Sequence, residues 1–360
     1  MEKIRKPTIT EAAPALADLG RRRFVRKLGL LGAGLAVAGS PLGLRRLRAA
    51  PTTALGRISY QLSWIKNFQF AGEYIAEDRG YYEQSGLGVD LVAGGPTINS
   101  DPIVAAGRAL VGQSSPDFMG NAVAKGAKLK CIGANYRKTI FCMISLAQTP
   151  LKGPEDLIGK RIGIQINNQV IWHAFLKLNK IDRARITTVP VQYDFGPLVS
   201  GEVDGFFGYL NDDVVHLQST GHQIHFFPFS DFGYRMFTAT YSVAADSLQD
   251  PARRAQLVAF MRGEIRGWQD AIRDPALAAR LTVDVYGKGN GLEYQVEKAS
   301  CVATNAVMED AVTRQHGLFW MSPADVADTI NTLAAGGVRA TPDLFTNEIL
   351  NEAYEGKTTL

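Results

Sequence analysis

Trp64, Asn67, Gln69 and Phe70 follow the first expected strand and combine what holds a flat polar molecule: aromatic faces for stacking, and side-chain amides that both donate and accept. The same types also close off an apolar core, so the group reads as a ligand contact or as the cap of a sheet. Ser114-Ser115-Pro116-Asp117 ends a later strand and opens a helix, with Pro at the first helical position and Ser before it. Hydroxyls and free N–H groups there suit an anion or a carbonyl, and helix capping alone would use the same residues. Asn167-Asn168-Gln169 stands at a comparable corner further on, and Tyr209, Asn211 and Asp212 end the strand after Gly-Glu-Val-Asp-Gly. Asp231 and Tyr241 flank a late crossover, while Tyr136 and Arg137 follow the fourth strand.

Other chemistry-bearing residues point away from catalysis. Glu202 and Asp204 resemble a carboxylate pair but sit at a turn, where solvated acids are ordinary. His222 and His225 are three apart on a strand, which aims them at opposite faces and argues against a metal site. The three cysteines, Cys131, Cys142 and Cys301, lack C-x-x-C spacing; Cys131 and Cys142 either stay buried thiols or pair in an oxidising compartment. No metal and no cofactor is expected.

The elements that would position these residues alternate. From about Arg57, strands at Ile58–Ser63, Val89–Val92, Ala109–Gly112, Leu129–Ala134 and Phe141–Leu146 are separated by helical stretches. After the turn-rich Gln148–Pro154 the alternation restarts, with strands at Arg161–Gln165, Ile186–Val191, Gly205–Tyr209 and Gln223–Phe227. A last strand, Phe237–Val243, leads into mostly helical sequence. The expectation is an α/β protein of two lobes, each a mostly parallel sheet flanked by helices. Lobe one takes residues 57–147 plus 239–360, lobe two takes 150–238, and the hinges fall near Leu146–Pro150 and Phe237–Tyr241. In such sheets ligands sit beyond the carboxyl ends of the strands, so two facing lobes put both loop sets on one cleft.

Composition agrees with a folded chain: 46% of its residues are hydrophobic and 21% charged. The net charge of +4 is unevenly spread, because residues 1–50 carry eleven Lys/Arg against three acids. The body is therefore net negative, with no electrostatic case for nucleic acid. Arg21-Arg22-Arg23-Phe24-Val25-Arg26 followed by the apolar run Leu28–Leu44 reads as an export signal, similar to the twin-arginine type, although Gly20 replaces the usual Ser or Thr. No cysteine follows the run, so a lipid anchor is not expected.

Leu62-Ser63-Trp64-Ile65-Lys66-Asn67-Phe68-Gln69-Phe70-Ala71-Gly72-Glu73-Tyr74 continues through Arg79-Gly80-Tyr81-Tyr82. This stretch resembles the first β-α-β unit of periplasmic binding proteins of the thiamine-pyrimidine, riboflavin and alkanesulfonate group. Leu157–Gly163, Leu198–Gly205, Tyr209–Asp212 and Asp231-Phe232-Gly233 resemble later segments of that family. The resemblance implies a type II periplasmic binding protein, the ligand-capturing component of an ABC importer. It would be a monomer in the periplasm, partnered by a small molecule, an inner-membrane permease and, during export, the twin-arginine translocase. Asp212-Asp213 departs from the family's Glu-Pro, and Gln69-Phe70 from its polar pair. The family also holds a pyrimidine synthase that uses pyridoxal phosphate, iron and its own histidine; the places of its Lys and His fall on Ser114 and Phe118, which supply neither. The implied ligand is a planar nitrogen heterocycle. A sulfonate-type anion is the alternative, and its cation would have to be Arg137 or Lys66.

Overall fold

The computed structural model describes residues 54–360; the expected export signal lies outside them. The chain opens with β1 (Arg57–Gln61), α1 (Ala71–Asp78), α2 (Tyr81–Gln84), β2 (Gly88–Val92), α3 (Ser100–Ala105), β3 (Val111–Ser114), α4 (Pro116–Ala124) and β4 (Leu129–Tyr136). A second run follows: β5 (Phe141–Leu146), β6 (Arg161–Gln165), α5 (Gln169–Leu178), β7 (Thr187–Val191), α6 (Gly196–Val199), β8 (Gly205–Tyr209), α7 (Asp213–Ser219) and β9 (Ile224–Pro228). The chain then returns through β10 (Thr238–Ala244) into α8 (Pro251–Arg273), α9 (Pro275–Leu281), α10 (Tyr294–Met308), α11 (Ala311–His316), α12 (Pro323–Ala335) and α13 (Glu348–Tyr354). None of these helices is long and apolar enough to cross a membrane.

Two five-stranded sheets result, ordered β2-β1-β3-β10-β4 and β7-β6-β8-β5-β9. Each is parallel except for one strand: β10 runs antiparallel to β3 and β4, and β5 antiparallel to β8 and β9. This moves the expected lobe boundary. Phe141–Leu146 was assigned by sequence to lobe one, yet its backbone pairs with the second sheet, so the chain crosses at Arg137–Ile140 rather than Leu146–Pro150. The return lies at Gly233–Phe237, just before β10. An apolar strand carries no local mark of which sheet it joins, because its partners are distant in sequence. Cys131 on β4 and Cys142 on β5 thus belong to different sheets, and all three cysteines are buried free thiols.

Helix signals were clearer. Gly80 at φ 67° separates α1 from α2. Long α8 lies across α1, and a Cβ at Gly267 would stand 2.2 Å from the carbonyl oxygen of Gly72, so the two backbones touch only because neither residue has a side chain. One continuous apolar cluster runs from Tyr60 and Phe260 in the first lobe to Phe141 and Phe207 in the second.

Under α8 the core encloses two carboxyls. Glu73 and Glu264 are both fully buried; the Tyr60 hydroxyl donates to Glu73 at 3.4 Å, and the Tyr241 hydroxyl donates to Glu264 Oε2 at 2.8 Å, with Tyr82 on its other oxygen. Burial pushes both carboxyls up, Glu264 to about 7, and the charge of Glu264 raises Glu73 further. A carboxyl whose folded value is raised holds its proton more tightly in the folded than in the unfolded state. The stability contributed by Glu264 is therefore fully present below the ordinary Glu range and is lost as pH rises through about 7. Glu264→Gln should remove this contribution, about 3 kcal/mol in the unmodified protein, in urea unfolding measured across that range.

Candidate functional site

The carboxyl ends of the parallel strands in the two sheets face one another, and the candidate residues divide between those ends and the core. On the first lobe, Ser63 Oγ donates to Gln113 Oε1 at 2.5 Å and Ser114 Oγ donates to Asp101 Oδ2 at 2.7 Å. Ser115 occupies the cap position of α4, but its hydroxyl bonds the Asp117 carboxylate instead of capping the helix. Asp117 is 6% exposed; burial pushes its carboxyl up, while Ser115 and the N–H groups of Asp117 and Phe118 pull it back. The negative charge of Asp117 in turn helps raise Tyr234, on the return crossover.

On the second lobe, α5 begins one tight turn after β6. There Asn168 Nδ2 donates to Gln165 Oε1 at 2.9 Å and to the Tyr209 hydroxyl at 3.0 Å, while Gln165 Nε2 donates to the Phe207 carbonyl at 3.0 Å. This chain of amides locks Tyr209 at the end of β8. Asp213 accepts from the Tyr209 N–H at 3.1 Å, and burial pushes neighbouring Asp212 up to about 6.

Three contacts join the lobes at this seam. The Trp64 and Tyr193 rings meet at 5.1 Å with planes 61° apart. Asn167 Nδ2 donates to the Pro96 carbonyl at 3.0 Å, and Asn211 Nδ2 donates to Thr304 Oγ1 on α10 at 2.9 Å. Tyr193 escaped the sequence reading, although it lies just past the end of β7, the position that singled out Trp64 after β1. Thr304 carried no signal, because only tertiary packing brings α10 to the seam. Gln113 Nε2, the Tyr136 hydroxyl, Asn211 Oδ1 and both side-chain atoms of Asn135 are buried without a partner in the chain. Such groups cost roughly 1–3 kcal/mol each until a polar partner reaches them.

Other candidates fall elsewhere. Phe70 is fully buried in the core, and Asn67 accepts from the Gln69 N–H at 3.1 Å, capping the short turn Phe68–Phe70; Gln69 is half-buried beside them. Tyr241 is fully buried with its hydroxyl committed to Glu264. Neither Phe70 nor Tyr241 presents a face to the seam, because the helices over the first sheet enclose both. Asp231 is exposed on the outer side of the crossover, lining a cavity of ≈ 260 Å³ with Lys138, Arg235 and Asp328.

Of the two cations that an anionic ligand would want, Arg137 is already paired. Arg137 has a side chain 1% exposed, donates Nε to Asp310 Oδ2 at 3.2 Å, and bonds Asp325 and the Trp320 carbonyl with its other nitrogens. Lys66 Nζ lies 6.0 Å from the Tyr286 ring centroid.

Two α/β lobes joined by two crossovers, with strand ends meeting across a polar and aromatic seam, define the two-lobed fold of periplasmic binding proteins. The chain belongs to the family described as NMT1/THI5 like, which it matches over residues 67–278. It is similar to the formylaminopyrimidine-binding protein of Halalkalibacterium halodurans, at 25% identity over 261 residues covering 70% of this chain and 78% of that relative. It is also similar to the riboflavin-binding protein RibY of Chloroflexus aurantiacus, at 22% identity over 330 residues covering 87% and 91%. In structure it resembles the periplasmic aliphatic sulphonate binding protein SsuA of Escherichia coli, with a TM-score of 0.57, 15% identity, and coverage of 77% and 85%. The desulfurization enzyme DSZB shares the fold at a TM-score of 0.55, 13% identity, and coverage of 83% and 99%, so the fold by itself serves both binders and an enzyme.

Replacing Arg137 by Met leaves Asp310 and Asp325 without their shared cation. Unfolding in urea should show a loss of about 2–3 kcal/mol, somewhat below the full value for a buried pair because both acids are partly solvated. Unchanged stability would return Arg137 to the list of free anion ligands.

Proposed function

We propose that this chain is the solute-capturing component of an ABC importer, closing its lobes on a small planar nitrogen heterocycle of the thiamine-pyrimidine or riboflavin kind. The carrying observation is the Trp64–Tyr193 pair, one ring from each lobe, meeting across the seam at 5.1 Å. The two rings here meet edge to face, so a flat ring would enter only as the lobes part and one ring face turns onto it, while the amides and hydroxyls of Ser114, Ser115, Asn167, Asn168, Tyr209 and Asn211 read its edges. The unpartnered buried atoms of Gln113, Asn135 and Asn211 support a polar guest.

Charge supports the same choice over a sulfonate. The carboxyls of Asp117, Asp212 and Asp213 stand around the strand ends, Arg137 spends its charge on Asp310 and Asp325, and Lys66 lies towards the Tyr286 ring. An anion would meet acids without a free cation to neutralise it. The binding relatives favour capture over catalysis. So do Ser114 and Phe118, which stand where the pyrimidine synthase resembled by this sequence carries Lys and His. In this reading the chain is exported, acts in the periplasm as a monomer without a lipid anchor, and delivers its closed form to an inner-membrane permease. Hinge bending takes place at Lys138–Ile140 and Gly233–Phe237.

Calorimetric titration of the protein with formylaminopyrimidine, riboflavin, an alkanesulfonate and nitrate tests the assignment. Trp64→Ala and Tyr193→Ala should each weaken heterocycle binding by roughly 1–3 kcal/mol. Tighter binding of the sulfonate, or mass-spectrometric conversion of the bound heterocycle, would overturn it.

A further inference from the structure

The cavity of ≈ 260 Å³ that Asp231 lines is walled by both crossovers and by α12. Thr139 and Thr329 belong to its lining and are buried, at 1% and 0% exposure. Each hydroxyl accepts one backbone N–H at 3.3 Å, Thr139 from Phe141 and Thr329 from Phe237, which leaves its own hydrogen to donate. The exposed part of the lining sets Lys138 and Arg235 against Asp231 and Asp328. These four charges share one cavity, yet among the described residues none of them forms an ion pair. A molecule carrying both signs of charge satisfies them together. The volume lies just below the usual range for ligand pockets, about 300–1,000 Å³, so such a guest is small.

The wall of this cavity is split between the lobes. Asp231 sits in the short turn Phe229–Phe232, whose Phe229 stacks on Phe175 of α5 at 3.9 Å, so this side moves with the second lobe. Asn179, just after α5, donates to the Phe232 carbonyl at 3.1 Å and fixes the end of the turn. Arg235 is fastened to α12 instead: Thr332 Oγ1 donates to its carbonyl at 2.7 Å and accepts from its N–H at 3.2 Å. Helix α12 belongs to the first lobe through Val326, buried with Met119 and Ala134. Its C-terminal end, at Gly336, passes beside Ala174 of α5. Between the two fastenings stand Gly233, at φ 85°, and Tyr234. The pivot of the return crossover thus falls inside the cavity wall, and opening the lobes changes the separation of Asp231 from Arg235.

We propose that this hinge cavity is a second binding site, taking a small zwitterion of amino-acid size and drawing the lobes together when filled. The linkage, though not the site, rests on reading the chain as a binding protein whose lobes close. The guest's carboxylate meets Lys138, Arg235 and the two threonine hydroxyls. Its ammonium meets Asp231 from the second lobe and Asp328 from α12. A guest held from both sides fits best at one spacing of them, and the cavity has its present shape with the seam joined. Binding therefore favours the joined arrangement by the difference in the guest's affinity for the two.

Calorimetric titration with L-glutamine tests the site, beside inorganic phosphate and putrescine as guests of one charge sign. Scattering with and without glutamine tests the linkage. The unmodified chain is compared with Arg235→Gln, Asp231→Asn and, at the seam, Trp64→Ala. Arg235 and Asp231 are exposed, so replacing them leaves the fold in place. The expected result is saturable glutamine binding, weakened about fivefold by either hinge replacement and unaltered by Trp64→Ala. The radius of gyration should shrink as glutamine saturates. Absence of saturable binding overturns the site. So does binding that is lost in Trp64→Ala and kept in both hinge variants, which would put the amino acid at the seam. Phosphate or putrescine held as tightly as glutamine overturns the zwitterion, and an unchanged radius at saturation overturns the linkage. A chain that takes glutamine at the hinge but no heterocycle loses the import reading alone.

Discussion

A guanidinium buried where the chain leaves its first lobe governs how the two halves of this protein relate. Arg137 follows β4 directly, and its charge is neutralised by Asp310 at the cap of α11 and Asp325 in the first turn of α12. Removing a cation from water is costly unless its fork is filled, and here carboxylates and a carbonyl fill it. The C-terminal helices are thereby pinned to the start of the crossover. Flexibility is left to the few residues between this clamp and β5, and to the stretch before β10.

That arrangement gives the seam its character. Each lobe offers the ends of parallel strands, where α4 and α5 begin and side-chain amides and hydroxyls converge. With the lobes together, part of this polar surface finds partners across the gap, as Asn167 does with Pro96 and Asn211 with Thr304. Part remains buried and unpaired, at Gln113, Asn135 and Tyr136. A closed interface made only for its own stability would pair or exclude such groups. Atoms left in need of partners suit an interface designed to close on something else.

In the proposed reading, the acids near the seam bear on which guest is welcome. With Arg137 locked, the acids near the strand ends are carboxyls that burial holds towards their neutral form. Neutral, donor-rich molecules fit that field better than anions. This holds even though the fold is shared with a sulphonate binder, because the side chains at the strand ends select the ligand and the sheets only carry them.

Much of this was legible in the order of residues. Alternation of β-rich and helical runs, punctuated by Gly and Pro, marked nearly every strand, because backbone preference and turn chemistry act locally. Trp64, Ser114 and Asn168 were singled out by one rule, that ligands gather at the ends of parallel strands. Applied to the residues after β7, the same rule would have reached Tyr193. What the chain order left open was pairing at a distance. It did not show that Phe141–Leu146 joins the second sheet, that α10 brings Thr304 to the seam, that Phe70 and Tyr241 turn into the core, or that Arg137 spends its charge on Asp310 and Asp325. Those outcomes depend on which surfaces bury each other and on how desolvated charges find partners, and only the assembled tertiary structure decides them.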